Sequence, residues 1–343
     1  MAEQIPIESF IALSASVPLV DVRAPLEFQQ GHIPGAVNIP LFNDQERKVV
    51  GTAYKRVNRE AAMYAGLEFA GKKLVKLAKE GERAAGNNRT LLVHCWRGGM
   101  RSRSMVWLFE TMGIKCYLLE GGYKTYRRHV RDVLAGPLKL LVIGGRTGSG
   151  KTAILHHLRE LGEQVIDLEG LAHHKGSAFG ALGESEQPTT EQFENDLCRI
   201  ISSLDPGKVT WIEDESRNIG KCVVPGELYT RMRESDMVFL DLDRELRARR
   251  LVGDYARYDR DALRDCVLKI EKRLGGMRTK EALEAIERDD YYRTAMITLE
   301  YYDKTYMYSL KKNHERYEVL SSKEMNPAIN AELLITYEKK RGF

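Results

Sequence analysis

The chain has 343 residues, a length that suits about two domains of ordinary size. Hydrophobic residues make up 43% of it and charged residues 30%, which excludes disordered and collagen-like chains. The sequence contains no apolar run long enough to predict a membrane span, and its first residues lack the pattern of a secretory signal. The net charge of +4 is too small to identify a nucleic-acid partner, so only the local distribution of charge can do so.

The first part of the chain alternates strand patterns with helix patterns. Residues 43–88 are an exception, because they form a polar, Ala- and Lys-rich stretch of mostly helical pattern. Alternation of this kind predicts an α/β domain with parallel strand pairing. Strands are predicted at 18–22, 36–39, 90–94 and 115–119, and helices at 25–30 and about 102–112.

A basic stretch over 123–137 ends in Ala-Gly-Pro and predicts a domain boundary. We therefore divide the chain into residues 1–132 and residues 133–343. The second part alternates in the same way and becomes mainly helical over 258–312, which predicts another α/β domain with a helical C-terminal part. Its strands are predicted at 138–143, 164–168, 208–212, 237–242 and 317–320, and its first helix from Thr152.

The five cysteines are odd in number and widely spaced, without a CxxC pair. This pattern excludes a disulfide framework and a four-cysteine zinc site, and it favours a reducing cytoplasm. Four of them are expected to be small buried apolar residues. The cysteines are Cys95, Cys116, Cys198, Cys222 and Cys266.

Cys95 differs from the others because it lies between a predicted strand and a predicted helix. A loop there can point its backbone N–H groups inward, and the helix adds the positive end of its dipole. With two arginines nearby, these groups favour a thiolate, a persulfide or a perselenide anion. The alternative is an inert cysteine at a strand end. The residues of this predicted anion loop are Trp96, Arg97, Gly98, Gly99, Met100 and Arg101.

The segments before Cys95 carry a family resemblance. Asp21-Val22-Arg23, Glu27-Phe28 and the run GHIPGAVNIP from Gly31, followed by Cys95 and Arg101, resemble the rhodanese domain over about residues 5–130. The resemblance implies that Cys95 carries sulfur or selenium and that residues 96–101 bind the transferred atom. Asp21, Arg23, Glu27 and His32 are expected to hold the turn and the strand ends together. The 43–88 stretch is longer than a minimal rhodanese needs, which predicts a substrate-recognition insert.

A second motif fits G-x-x-x-x-G-K-[ST] and lies between a predicted strand and a predicted helix, the context that a phosphate loop requires. Its glycines allow backbone amides to approach phosphate oxygens, Lys151 adds a mobile charge, and Thr152 can ligate Mg²⁺. The motif does not name its ligand, which could be ATP, GTP or the diphosphate of another molecule. It comprises Gly145, Arg146, Thr147, Gly148, Ser149, Gly150, Lys151 and Thr152.

Other side chains are expected to complete this phosphate site. A partner acid should follow another strand, and of the three acids in 213–215 we select Asp214. The helix after residue 241 carries Arg247 and Arg250, which in phosphotransferase-like folds can close over phosphates. The alternative for these arginines is a solvated basic helix face.

A third feature is the density of basic residues between Arg97 and Arg131, where eight Lys or Arg residues accompany two acids. With the interleaved Tyr123 and Tyr126, the segment has the composition of a strip that contacts RNA phosphates and stacks on bases. A charged linker is the alternative. The basic residues predicted to contact tRNA are Lys124, Arg127, Arg128 and Arg131.

The two motifs in this order resemble the bacterial tRNA 2-selenouridine synthases over nearly the whole chain. Further similar segments are His174–Gly180, Glu213–Arg217 and Lys272–Gly276. The resemblance implies replacement of sulfur by selenium at C2 of wobble 2-thiouridine in tRNA, with selenophosphate as donor and geranyl diphosphate as a second co-substrate. It implies no organic prosthetic group, and it suggests selenophosphate synthetase as a partner. Geranylation and selenium insertion are chemically linked. The thiocarbonyl sulfur is a poor leaving group, but after S-geranylation it can leave as geranylthiol.

Two other functions are consistent with the same motifs. One is a rhodanese coupled to a P-loop kinase or ATPase that moves sulfur to a non-RNA acceptor, which RNA dependence would distinguish. The other is a regulatory or RNA-binding module without activity. The presence of Cys95, Lys151 and Thr152 together argues against the second, because a degenerate module could dispense with them.

Overall fold

The computed structural model describes residues 3–314 and 317–342. The chain forms two compact units, Met1–Val133 and Leu134–Phe343, and each is described here by itself. Among the described residues, no helix is both long enough and apolar enough to cross a membrane.

The first unit is built on a five-stranded sheet in which every strand pair is parallel. The strand order is β1-β5-β4-β2-β3. The strand that ends at Asp21, β2, is therefore the neighbour of β4, the strand that leads into Cys95. Apolar and β-branched residues fill β4, and all but its first residue are buried. The strands are β1 Glu3–Ile5, β2 Leu19–Asp21, β3 Val37–Asn38, β4 Thr90–His94 and β5 Lys115–Leu119.

In the described part of this unit, seven α-helices accompany the sheet, three of them within the 43–88 stretch, which ends in a short 3₁₀ helix at Gly86–Asn88. Asn43 and Asn58 begin the first two of these three by accepting hydrogen bonds from the amides of Glu46 and Ala61. Phe42 and Leu77 bury apolar surface in the same core as β4. The helices are α1 Ile7–Ser14, α2 Pro25–Gln30, α3 Asp44–Arg56, α4 Arg59–Gly71, α5 Leu74–Ala85, α6 Met100–Thr111 and α7 Tyr123–Ala135.

The second unit contains another five-stranded parallel sheet, in the order β12-β11-β6-β8-β7. Leu141, Trp211 and Leu240 on its three central strands are fully buried in one core. A short antiparallel pair, β9 with β10, lies outside this sheet. The strands are β6 Lys139–Gly144, β7 Gln164–Ile166, β8 Val209–Glu213, β9 Asn218–Ile219, β10 Cys222–Val223, β11 Met237–Leu242 and β12 Glu318–Ser322.

The helices of the second unit include a C-terminal group with a smaller core of its own, around Leu263, Val267, Ile286 and Ile297. The predicted fold class is therefore confirmed: two parallel-sheet α/β units, the second with a helical part. The helices are α8 Lys151–Glu160, α9 Leu168–Ala172, α10 Thr190–Ser202, α11 Gly226–Glu234, α12 Arg244–Tyr255, α13 Arg260–Lys269, α14 Glu271–Leu274, α15 Gly276–Glu287, α16 Tyr291–Asn313 and α17 Pro327–Arg341.

Candidate functional site

The first site is the loop from Cys95 to Arg101, the cysteine loop, which joins β4 to α6. Cys95 is only 2% exposed, and its Sγ lies 3.1 Å from the hydroxyl oxygen of Ser102. That hydroxyl also donates to the carbonyl of Gly99 at 3.1 Å. The sulfur therefore lies beneath the loop, close to the first turn of α6.

The backbone amides of this loop are available as donors. No backbone carbonyl of the described residues accepts a hydrogen bond from the amides of residues 96–102. Gly99 begins α6 without a side-chain cap, and Gly98 has a φ of +64°, a conformation that favours glycine. A row of N–H groups at a helix N-terminus can stabilise an anion, so this geometry is compatible with the anion loop, which stays a prediction.

Arg97 and Arg101 contribute unequally to the positive charge around the cysteine loop. Arg101 donates to the Glu27 carboxylate at 2.5 and 3.3 Å. Burial alone would raise the pKa of Glu27, but Arg101 outweighs it and lowers that pKa. Arg101 therefore provides less free positive charge than its sequence position predicts, whereas Arg97 is exposed.

A buried ion pair holds the end of β2 beside the cysteine loop. Arg23 donates to Asp21 at 2.6 Å and to the carbonyl of Gly31 at 2.7 Å, and its guanidinium lies 3.8 Å from the centre of the Tyr123 ring. Although burial opposes ionisation, His94 and Arg23 keep the pKa of Asp21 below its ordinary value. Asp21 and Arg23 are thus structural residues.

Gly122 supports the loop from the start of α7 and was not anticipated from the sequence. Its φ is +62°, and a Cβ there would lie 2.3 Å from the carbonyl oxygen of Cys95 and 2.5 Å from the amide nitrogen of Gly98. The following amides, of Tyr123 and Lys124, donate to the carbonyls of Cys95 and Trp96 at 2.8 and 3.0 Å. The Gly121-Gly122 pair in the sequence was the available signal.

The second site is the phosphate loop, residues 145–152, between β6 and α8. Gly148 and Gly150 both have a φ of +81°, which lets the backbone curl around a ligand. Lys151 Nζ donates to the Gly145 carbonyl at 3.1 Å, and the Ser149 hydroxyl is buried without a hydrogen-bond partner in the described chain. Lys151 therefore lies over the loop, and Ser149 offers a donor that no described residue accepts.

The carboxylate beside Thr152 is Glu169 on α9, which sequence reasoning missed. Thr152 Oγ1 donates to Glu169 Oε2 at 2.6 Å, and the Glu169 amide donates to Glu213 Oε1 at 2.8 Å. Burial and the neighbouring Glu169 raise the pKa of Glu215 to about 8. An acid directly after the predicted strand at 164–168 was the signal that could have found Glu169.

Asp214, the acid selected from the sequence, has other partners. Its carboxylate pairs with Arg233 at 2.6 Å and accepts from the Tyr306 hydroxyl at 2.7 Å. Although burial opposes ionisation, His314, Arg233 and Tyr306 lower the pKa of Asp214 to about 2. The Tyr306 oxygen in turn accepts from the Gly145 amide at 3.0 Å, so Asp214 supports the phosphate loop from outside it.

Arg247 and Arg250, the two arginines expected at the phosphate site, differ in their burial and in their contacts. Arg247 is 2% exposed, donates to the Thr147 carbonyl at 3.0 Å and pairs with Asp303 at 2.9 Å. The expectation that Arg247 closes over phosphates is therefore wrong, because its donors are used to hold the loop backbone. Arg250 lies against the loop instead, since a Cβ on Gly150 would approach its Nη1 to 2.8 Å.

A cavity of about 1200 Å³ opens from the phosphate loop. At one end it is lined by Lys151, Thr152, Glu169 and Arg250. Its remaining wall mixes apolar and aromatic side chains with polar and charged ones, and most of it comes from the helical part and from residues 175–179. The apolar and aromatic lining residues are Ala153, Ala178, Phe179, Tyr229, Leu251, Val252, Tyr255, Ala256, Leu263, Leu268, Ile270, Tyr291, Ala295, Tyr301, Tyr302 and Tyr306.

Comparison with known proteins places both sites in one family. Residues 8–129 match the rhodanese-like domain, and residues 138–332 match the tRNA 2-selenouridine synthase AAA domain. A tRNA 2-selenouridine synthase of Bdellovibrio bacteriovorus is 36% identical over 87% of this chain and 90% of its own. This chain belongs to the tRNA 2-selenouridine synthase family. The members are tRNA-modifying enzymes by name.

Two further relatives carry the same name. The tRNA 2-selenouridine synthase of Aeromonas salmonicida is 34% identical over 91% of this chain and 93% of its own. That of Nitrosomonas europaea is 39% identical over 70% of this chain and 64% of its own. The similarity to the Bdellovibrio and Aeromonas relatives thus spans both the cysteine loop and the phosphate loop.

In this chain, the basic strip of residues 123–131 forms part of α7. Tyr123 and Tyr126 are buried, which corrects the expectation that their rings are available for stacking on bases. They pack inward because the helix repeat places them on the same face as Val130. Lys124, Arg128 and Arg131 are exposed, and Arg127 is half-buried.

The residues around Thr152 fit a magnesium ion bound together with a phosphate. A hydroxyl and a carboxylate oxygen are hard oxygen ligands, and Mg²⁺ usually completes its shell with water and phosphate oxygens. Among the described residues, no group of three or more His, Cys, Asp or Glu side chains is arranged to hold a metal by itself. Thr152 and Glu169 would hold the ion, which would neutralise charge on the phosphates.

Proposed function

We propose that this chain replaces sulfur by selenium at C2 of wobble 2-thiouridine in tRNA. Selenophosphate donates the selenium, and the reaction passes through S-geranyl-2-thiouridine made from geranyl diphosphate. The observation that carries the proposal is the joint lining of the cavity: a phosphate loop, and a set of apolar and aromatic side chains from the helical part within a mixed wall. An isoprenoid diphosphate uses both surfaces: the loop and Lys151 suit its diphosphate, and side chains such as Leu251 and Leu263 suit its apolar chain.

The phosphate loop is suited to the alkylation step. The sulfur of 2-thiouridine attacks C1 of the geranyl group, the C1–O bond breaks, and diphosphate leaves with the electron pair. The N3 proton is then lost, so the alkylated base is neutral. Charge grows on the departing diphosphate, where Lys151, the loop amides and a magnesium ion at Thr152 and Glu169 would stabilise the transition state more than the bound donor.

The cysteine loop is suited to the selenium step. Selenium of selenophosphate attacks C2, the C2–S bond breaks, and geranylthiol leaves with a proton. Water then cleaves the Se–P bond and releases phosphate. The amides of residues 96–102, which donate to no backbone carbonyl of the described residues, can hold the selenium-bearing anion, and Cys95 lies beneath them.

The tRNA substrate places this reaction in the cytoplasm. Selenophosphate synthetase is the enzyme class that must supply the donor, because selenophosphate is readily hydrolysed. The exposed Lys124, Arg128 and Arg131 of the basic strip would contact tRNA phosphates.

The two steps can be separated by substitution. Lys151→Ala should lower geranylation of 2-thiouridine in tRNA by about 100-fold or more, the usual cost of one charge-stabilising donor. It should still convert a tRNA that is already S-geranylated. Cys95→Ser keeps the size of the side chain but removes the ionisable thiol, so it should geranylate normally and fail to form 2-selenouridine. Nucleosides from digested tRNA are measured by mass spectrometry.

Lys208→Ala and Cys116→Ser are the matched controls, since Lys208 is exposed outside the cavity and Cys116 is buried in the core of the first unit. Loss of activity of Lys151→Ala on the geranylated tRNA would mean that the phosphate loop also binds selenophosphate, against the division into two sites. RNA-independent hydrolysis of a nucleotide, without any change in tRNA, would favour the sulfurtransferase–ATPase function instead.

A further inference from the structure

Three cationic side chains lie at the opening of the cavity. Lys269 ends α13, and Lys272 and Arg273 lie in α14, within one of the family-like segments to which the sequence assigned no role. All three line the cavity and are exposed to solvent, so they lie where it opens. We name them the cationic rim.

The cationic rim forms no ion pair among the described residues, and the one acid beside it at the opening, Glu271, leaves the group a net positive charge. No carboxylate of the described residues forms an ion pair with Lys269, Lys272 or Arg273, and the only hydrogen bond from these side chains runs from Arg273 Nη1 to the Tyr301 hydroxyl at 3.4 Å. Most neighbouring basic residues of the helical part are neutralised by acids. These paired residues are Arg260, Arg264, Arg278, Lys280, Arg288 and Arg293.

The cavity is large for a ligand site. Pockets that enclose a single small ligand measure roughly 300–1,000 Å³, whereas this one measures about 1200 Å³. Alkylation requires the sulfur within about 3–3.5 Å of the carbon it attacks. The thiolated base must therefore enter the cavity that holds the isoprenoid, while the charged RNA backbone stays at the opening.

Aromatic residues line the path between the opening and the phosphate loop. Tyr291, Tyr301 and Tyr302 all contribute to the wall, and the rings of Tyr301 and Tyr302 are 5.0 Å apart. A base that leaves its stack commonly packs against such rings, and this stacking contributes about 1–3 kcal/mol of binding free energy per base. Tyr301 is also the acceptor for Arg273, so the cationic rim and the aromatic wall are contiguous.

We infer that the cationic rim binds the phosphates flanking the reacting nucleotide, whose base is inserted into the cavity beside Tyr301. This inference rests on the proposed function and adds an RNA-binding site in the second unit, separate from the basic strip on α7. Phosphate contacts fix the position of an RNA without reading its sequence, so the cationic rim selects an accessible, unstacked nucleotide rather than a particular anticodon.

The test uses the full chain with a short anticodon stem-loop that contains 2-thiouridine at the wobble position. The Lys272→Ala, Arg273→Ala double variant removes two charges of the cationic rim. The Lys280→Ala, Arg288→Ala double variant removes two charges from α15 and the residue after it, where both side chains are exposed and pair with Glu284. RNA affinity is measured as a function of salt, and steady-state geranylation gives KM for each substrate.

We expect the cationic-rim variant to bind the stem-loop at least tenfold more weakly at physiological salt and to raise its KM for RNA. The slope of log affinity against log salt should fall by roughly 1.4, at about 0.7 for each lost single-strand contact. KM for geranyl diphosphate should not change. Tyr301→Leu should raise KM for RNA while Tyr301→Phe retains it, and circular dichroism verifies that each variant is folded.

The outcomes are distinguishable. If wild type neither binds nor alkylates the stem-loop, the proposed function fails and the RNA site fails with it. If wild type does both and the cationic-rim variant matches the α15 control, only the RNA site is wrong. A raised KM for geranyl diphosphate with unchanged RNA affinity would assign the cationic rim to the diphosphate and also overturn the inference.

Discussion

Glu215 makes the stability of the second unit depend on pH in an unusual direction. Its side chain lies beside Glu169 in the cavity, and burial with this neighbour raises its pKa from 4.5 to about 8. The folded protein therefore keeps a proton that the unfolded chain releases between these values. Because the folded state binds more protons there, the free energy of unfolding falls as pH rises from about 4.5 to 8.

The size of the effect follows from the shift. A pKa difference of one corresponds to about 1.4 kcal/mol. The difference between 4.5 and about 8 would therefore change the free energy of unfolding by at most about 5 kcal/mol. Glu215 keeps part of its surface in the open cavity, where solvent screens the charge of Glu169. We therefore expect a loss on the order of 1–3 kcal/mol between pH 5 and pH 8.5.

Glu215→Gln tests this directly, because the amide has the shape of the protonated carboxyl and can donate the same hydrogen bond to Glu169. The variant should match wild type near pH 5 and exceed it in stability by the same 1–3 kcal/mol at pH 8.5. Urea unfolding is followed by the fluorescence of Trp211, which is fully buried in the second unit, after Trp96 and Trp107 are replaced by Phe.

Glu227→Gln, at an exposed position on α11, is the matched control and should show the pH dependence of wild type. A Glu215→Gln variant whose stability differs from wild type by the same amount at both pH values would show that Glu215 does not hold a proton in the folded protein. A variant less stable at pH 8.5 than wild type would refute the sign of the shift.

Two other predictions concern the first unit. Gly122→Ala should abolish 2-selenouridine formation while leaving geranylation intact, because its Cβ would lie 2.3 Å from the Cys95 carbonyl oxygen. Nucleoside analysis measures both products, and Gly71→Ala, where a Cβ would meet open space, is the control. Normal 2-selenouridine formation by Gly122→Ala would contradict the tight packing at this position. Replacing the exposed Arg128 and Arg131 together by Ala should weaken binding of all tRNAs alike and reduce the salt slope, whereas an unchanged slope would make the basic strip a structural part of α7.

The sequence by itself located the cysteine loop, the phosphate loop and the elements around them. Their signals are local: a cysteine after a buried strand, and glycines, a lysine and a threonine at fixed spacing before a helix. Strands such as Thr90–His94 and Met237–Leu242 were predictable because buried parallel strands are continuous apolar runs. The similarity of these segments to known families also identified the fold class and the family.

Only the tertiary structure decided which side chains accompany the loops. Glu169 contacts Thr152, while Asp214 contacts Arg233 and, through Tyr306, the Gly145 amide, over separations of 17 to 161 residues. Nothing in the local pattern ranks one acid above another, because each partnership depends on how helices pack against the sheet. Arg247 is the clearest example: its charge predicted a ligand contact, but burial and Asp303 direct its donors to the protein's own backbone.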